Sequence, residues 1–224
     1  MVDRPSGGEI VVWDPLVRIG HWLLVVAFFV AYFTEDEALA VHTWAGYAVT
    51  AYVAIRVIWG FAGPRHARFS DFVYSPFKAI DYLVGLARGS APRYIGHSPA
   101  GAMMVFGLLV CLTGTVVTGM AELARSRGEG PLAPVIERQA ASAESEAPQD
   151  IQRKNDDDNG SGERREAEGE DEEESLLLEL HELFANLTLA LVALHILGVA
   201  VASWSHKENL VRAMITGRKR SNGA

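Results

Sequence analysis

Seven histidines occur in the 224 residues, and His21, His42, His181 and His195 lie in or beside long apolar stretches. An imidazole inside a bilayer is costly and marks a functional site by default. Its unprotonated nitrogen can bind a metal, and its two nitrogens can move a proton. A single such residue is accounted for by a hydrogen bond between helices. Four in a regular arrangement ask for more. His181 and His195 are 14 residues apart. At 3.6 residues per turn that spacing falls about 40° short of four full turns, so both rings leave one helix on nearly the same face. Along the axis they are roughly 21 Å apart. Such a helix carries one ring near each side of a ~30 Å hydrocarbon core.

Four stretches can supply spanning helices, each near the ~20 residues that a crossing needs. They are Leu16–Phe33, Val41–Ala62, Pro99–Ala121 and Leu183–Trp204, the last preceded by Leu176, Leu177, Leu178 and Leu180. Their ionisable groups are few: Arg18 and His21 in the first, His42 and Arg56 in the second, the Cys111 thiol in the third and His195 in the fourth. The first stretch lacks a basic leader and a small-x-small cleavage site, so it reads as a retained helix. The expected fold is all-α: an integral membrane four-helix bundle. Its domains are residues 1–121 (helices one to three with an inner connection), 122–175 (an acidic external loop) and 176–224 (helix four and a basic tail).

Charge sets the orientation. Residues 121–175 hold 17 of the 28 acidic and 7 of the 20 basic residues, a local net of −10. The connection between spans two and three carries Arg65, Arg68, Lys78, Arg88 and Arg93. The tail carries Lys207, Arg212, Arg218, Lys219 and Arg220. Basic residues stay on the cytoplasmic side, so both termini are expected in the cytoplasm of a bacterial cell, with the protein in its inner membrane. This topology pairs the histidines by depth. His21 and His195 share the inner level, and His42 and His181 share the outer level. Two imidazoles from facing helices are what bis-histidine haem ligation requires. Two stacked haems spanning the bilayer would make an electron path.

Neighbouring residues agree. Gly46 lies one turn after His42 and Gly198 almost one turn after His195, where a missing side chain lets a flat macrocycle approach. Arg56, 14 residues beyond His42, shares its face at the inner level. It either meets a haem propionate or snorkels to the cytoplasmic surface. Arg18 is a second possible propionate donor.

Several segments then carry a family resemblance. They are W-D-P-L-V-R-I-G-H-W at 13–22, H-T-W-A-G-Y at 42–47, R-x-x-W-G at 56–60 and G-P-R-H-A-R-F at 63–69. G-H-S-P-A-G at 96–101, L-H-E at 180–182, L-H-I-L-G at 194–198 and H-K-E-N-L-V-R-A-M-I-T-G at 206–217 follow in order. The chain resembles the bacterial cytochrome b561 family, which includes the b-type cytochrome subunit of nickel–iron hydrogenases. The resemblance implies four core helices, two b haems, and ligands at His21, His42, His181 and His195. It also implies electron exchange with a quinone, a c-type cytochrome or a dehydrogenase or hydrogenase subunit, in a homodimer or larger complex. The acidic insertion at about 122–175 departs from it.

Within that insertion, residues 140–175 are too polar to bury a core, and no fixed structure is expected there. A tolerated surface insertion is the favoured reading, and an acidic lure for a basic partner is the other. From Phe77, apolar residues recur at helical spacing after Ser75-Pro76, giving a short amphipathic helix that lies on the inner membrane face or packs on the inner loops. His97 reads as an interfacial residue at a helix start, with a propionate contact or proton handling as the alternative. His66 and His206 read as surface residues. A single cysteine excludes disulfides and multi-cysteine metal sites, no C-x-x-C-H exists for covalent haem, and the acidic balance speaks against nucleic acid. The competing function is a small ion-coupled transporter using the intramembrane His and Arg residues. An uncharged third span and the lack of an internal repeat speak against it.

Overall fold

The computed structural model describes residues 8–35, 37–146 and 162–221. In chain order the elements are β1 (Glu9–Val11), α1 (Pro15–Phe33), α2 (Leu39–Ala62), a 3-10 turn (Phe69–Asp71), α3 (Pro76–Ala87) and α4 (Pro99–Arg127). They continue with α5 (Ala133–Glu146), α6 (Gly162–Ser205), α7 (Leu210–Thr216) and β2 (Arg218–Arg220). Four helical segments are long and apolar enough to cross a membrane: α1, α2, α4 and the Leu176–Ser205 part of α6. Their outer surfaces are apolar, with Phe61 75% and Trp204 85% exposed. An aqueous surface does not tolerate continuous patches of that kind, whereas hydrocarbon does. The all-α membrane class read from the sequence therefore stands.

The helix starts follow their sequence signals. Asp14 caps α1 by accepting from Val17 N at 3.1 Å, with Pro15 in the first turn. Ser75 accepts from Lys78 N ahead of Pro76, so the amphipathic helix after Phe77 forms as expected. Ser98 accepts from Gly101 N at the start of α4. Gly63 closes α2 with a backbone bond to Trp59.

Two features differ from the sequence reading. The acidic segment is helical at both of its described ends, in α5 up to Glu146 and in α6 from Gly162. Glu, Arg and Ala fill the first turns of α6, and each has high intrinsic helix propensity. The rest of the expected unstructured stretch, 147–161, lies outside the described residues. The second difference is the antiparallel pair β1–β2, with Glu9 opposite Arg220, Ile10 opposite Lys219 and Val11 opposite Arg218. Ser221 N adds a bond to Gly8 O. This pairing holds residues 9–11 and 218–220 on one side of any membrane the four segments cross, as an even number of crossings requires.

The chain forms two compact units. One comprises Met1–Thr113 with Leu187–Ala224, and the other comprises Gly114–Asn186. In the first, α1 and α2 make the most extensive helix–helix contact among the described residues. Gly20 and Tyr52 fix its closeness, because a Cβ on Gly20 would overlap the Tyr52 ring. That glycine directly precedes His21.

Candidate functional site

In the first unit, His21 on α1 and His195 on α6 face each other. Their ring centroids are 6.4 Å apart and their planes are inclined by 56°. His21 also packs edge-on against Trp22 at 5.2 Å. The His21 Nδ1 is buried and has no hydrogen-bond partner. Buried polar atoms in folded proteins are nearly always satisfied, so such an exception calls for an explanation. The spacing supplies a test. Adding a metal–nitrogen bond of about 2 Å and a ring radius of about 1 Å on each side gives roughly 6 Å between centroids, so one metal atom fits between these rings.

Arg56 lies on α2 in the same unit. It is only 6% exposed, so it does not snorkel to the surface. Its guanidinium stacks over Phe69 at 4.9 Å, and Nη1 is buried without a hydrogen-bond partner. Arg18 is committed in part, since its Nη1 donates to Thr216 O at 3.1 Å while Nε is buried and unbonded. Gly46 leaves open space where a Cβ would point, and so does Gly198. Both are compatible with a flat group lying against α2 and α6.

His97 is half-buried at the start of α4. Its ring is wedged between Trp13 at 4.7 Å and Phe72 at 4.2 Å, and its Nδ1 has no partner. Burial, reinforced by the charges of Arg56 and Lys219 and by His66 and His195, holds its pKa down at about 3. His66 lies beside it, lining a cavity of about 120 Å³ together with Asp71, Tyr74, Tyr94 and His97. His206 Nε2 shares a hydrogen bond with Tyr82 Oη at 3.2 Å, so neither His66 nor His206 is a plain surface residue.

His42 and His181 share one device. His42 Nδ1 lies 2.9 Å from Ala31 O, within the first unit. His181 Nδ1 lies 2.9 Å from Thr115 O and 3.3 Å from Thr118 Oγ1, within the second unit. A carbonyl oxygen only accepts, so Nδ1 donates in both rings and each Nε2 keeps its lone pair. That second-sphere bond fixes tautomer and orientation in metal-binding histidines. Gly119 permits it at His181, because a Cβ there would lie 2.7 Å from His181 Cε1. Neither carbonyl partner nor Gly119 was singled out in the sequence. A carbonyl is common to every residue, and glycine is common in membrane helices. Among the described residues no group of three or more His, Cys, Asp or Glu converges on one point.

A family model described as prokaryotic cytochrome b561 matches residues 12–217. The chain belongs to the prokaryotic cytochrome b561 family. This cytochrome is thus a multi-pass membrane protein that binds b-type haem and transfers electrons. Comparison with curated proteins and with solved structures gave no match. The residues of the cytochrome suit a haem: a facing imidazole pair, buried cationic donors for carboxylates, and glycines that leave helix faces open.

Proposed function

We propose that this cytochrome carries two b haems, each between two histidines, and passes single electrons across or along the bacterial inner membrane. The inner haem is held by His21 and His195, and the outer one by His42 and His181. The observation that carries the reading is the facing pair His21–His195 at 6.4 Å. The tautomers of His42 and His181, each fixed by a bond from Nδ1 to a backbone carbonyl, support the second site. When bound, each haem would supply a one-electron iron couple, and ligation by two histidines would disfavour oxygen binding or substrate chemistry at the metal.

The chain's own groups do the rest. The imidazoles hold and orient the macrocycles, and Arg56 offers an unbonded, buried N–H to an inner propionate. Arg18 is a secondary donor, and Gly46 leaves room on α2. Lipid-facing apolar surfaces keep water from the sites. The basic inner connection and tail put both termini in the cytoplasm. Exchange partners are a quinone, a c-type cytochrome or a dehydrogenase or hydrogenase subunit, and assembly as a homodimer or in a larger complex is part of this reading.

The test is haem stoichiometry and potentiometric titration of single alanine variants. His21→Ala and His195→Ala should lose the same haem, and His42→Ala and His181→Ala the other. If His21 and His42 variants retain the same surviving haem, the pairing is wrong. A colourless purified protein would overturn the reading altogether and favour the ion-coupled alternative.

A further inference from the structure

The C-terminal strand carries a lysine into the interior. Along β2, Arg218 and Arg220 are exposed while Lys219 is 7% exposed, the alternation that a strand imposes. The turn before it is set by Gly217, whose φ of 77° and crowding against Arg18 Nη1 and Trp13 O exclude a side chain. Val12 N and Trp13 N both donate to Gly217 O, at 2.8 and 3.2 Å. β1 then holds β2 in register, and the Arg218 guanidinium reaches diagonally to Glu9 Oε2 at 3.8 Å.

Inside, the Lys219 ammonium donates to Tyr94 O at 3.4 Å and sits 5.8 Å from the Trp13 ring centroid. Trp13 touches His97. The groups acting on His97 are Arg56, Lys219, His66 and His195, all of them basic. The acid that faces Lys219 is Glu208, but its two oxygens already accept from Arg93 at 2.8 and 3.1 Å, and one also accepts from Arg220 N. Two buried nitrogens of this cluster, Arg56 Nη1 and His97 Nδ1, have no hydrogen-bond partner. A buried ammonium has three donors, and charge taken out of water needs a counter-charge.

We propose that Lys219 binds a propionate carboxylate of the inner haem, beside Arg56 and His97, and that the β1–β2 ribbon holds it there. This rests on the assignment of His21 and His195 as the inner ligands. A cation at that place stabilises the more negative, reduced state, so it raises the inner haem's potential. Lys219→Gln in the full-length, haem-loaded protein should shift the inner haem's reduction equilibrium about tenfold toward the oxidised form, about 59 mV for one electron. The outer haem should not move. Lys219→Arg should restore the potential, and the Gln variant should release its inner haem faster to a haem scavenger. If the Gln variant is not recovered from membranes, Lys219→Met, which keeps the stem's packing, replaces it with the same outcomes.

His195→Ala is the control. If it keeps both haems, the ligand assignment fails. If it loses one while Lys219→Gln leaves both potentials unchanged, the Lys219 inference alone is overturned. Loss of a co-purified anionic phospholipid from Lys219→Gln, with unchanged potentials, would likewise overturn it by assigning the lysine to a lipid phosphate.

Discussion

Gly119→Ala tests the outer site at a residue that does not itself bind metal. The new Cβ would lie 2.7 Å from His181 Cε1 and 2.9 Å from Nδ1. Carbon atoms settle at about 3.5–4.0 Å, so the ring has to move by about 1 Å. The Nδ1–Thr115 O bond, now 2.9 Å, then stretches beyond the hydrogen-bonding range. Loss of such an orienting bond weakens a metal site by about 10- to 100-fold. Without the clash, the sign reverses: glycine to alanine in a helix interior stabilises by roughly 1 kcal/mol. The expected result is a folded protein whose haem content drops toward one per chain, with the inner haem's potential intact. Gly107→Ala serves as the control, because its Cβ would make an ordinary 3.7 Å contact with Leu191. Haem assay per chain, potentiometric titration and thermal melting by circular dichroism are the measurements. A Gly119→Ala protein with two haems, unchanged potentials and a raised melting temperature would refute the reasoning.

Three further outcomes are expected. His97 has a folded pKa of about 3 against 6.5 in the unfolded chain. Below 6.5 the unfolded state takes up a proton that the folded state refuses, so stability falls from pH 6.5 toward 3 and is complete above 6.5. His97→Phe should flatten that dependence in thermal melts, and an unaltered slope would count against it. Burial opposes ionisation of Glu208, but hydrogen bonding from Arg93 and the charge of Lys219 outweigh it and hold its pKa below the usual carboxylate value. Its contribution is thus complete above about pH 4.5 and lost as pH falls through the folded value. Glu208→Gln should cost about 1–3 kcal/mol and expose the C-terminal strand to limited proteolysis, whereas an equally protected tail would contradict this. Deleting residues 147–161 should leave haem content and electron exchange with a basic c-type cytochrome unchanged; a slowing at low ionic strength that salt abolishes would show recruitment instead.

The spanning helices were legible because about 20 apolar residues leave few alternatives, and their starts at Asp14-Pro15 and Ser75-Pro76 carry local capping chemistry. That the His21 and His195 rings come close was legible from charge and helical periodicity together. The β1–β2 pair was not, because three-residue strands show no usable alternation and their partner is distant in sequence. The inward course of Lys219 was hidden for the same reason, because the tail read only as basic. Arg56 stood undecided between burial and the surface, and only the packing of Phe69 against it decides for burial. For the acidic segment, low hydrophobicity argued against a packed core, but a solvated helix needs none.

The β1–β2 ribbon joins residues 9–11 to residues 218–220, with all four candidate spans made between them. At about 5–20 residues per second, strand 9–11 waits roughly 10–40 s for strand 218–220 to be made. The helices can enter the bilayer in turn during that interval, but this end of the first unit closes only after residues 218–220 have been made. Haem loading at His21 and His195 therefore has a period in which the Lys219 side is still open. A chain cut short before residue 218 keeps its spans and both proposed ligand pairs but never acquires the clasp, so pairing of the ribbon reports that everything between its strands has been made.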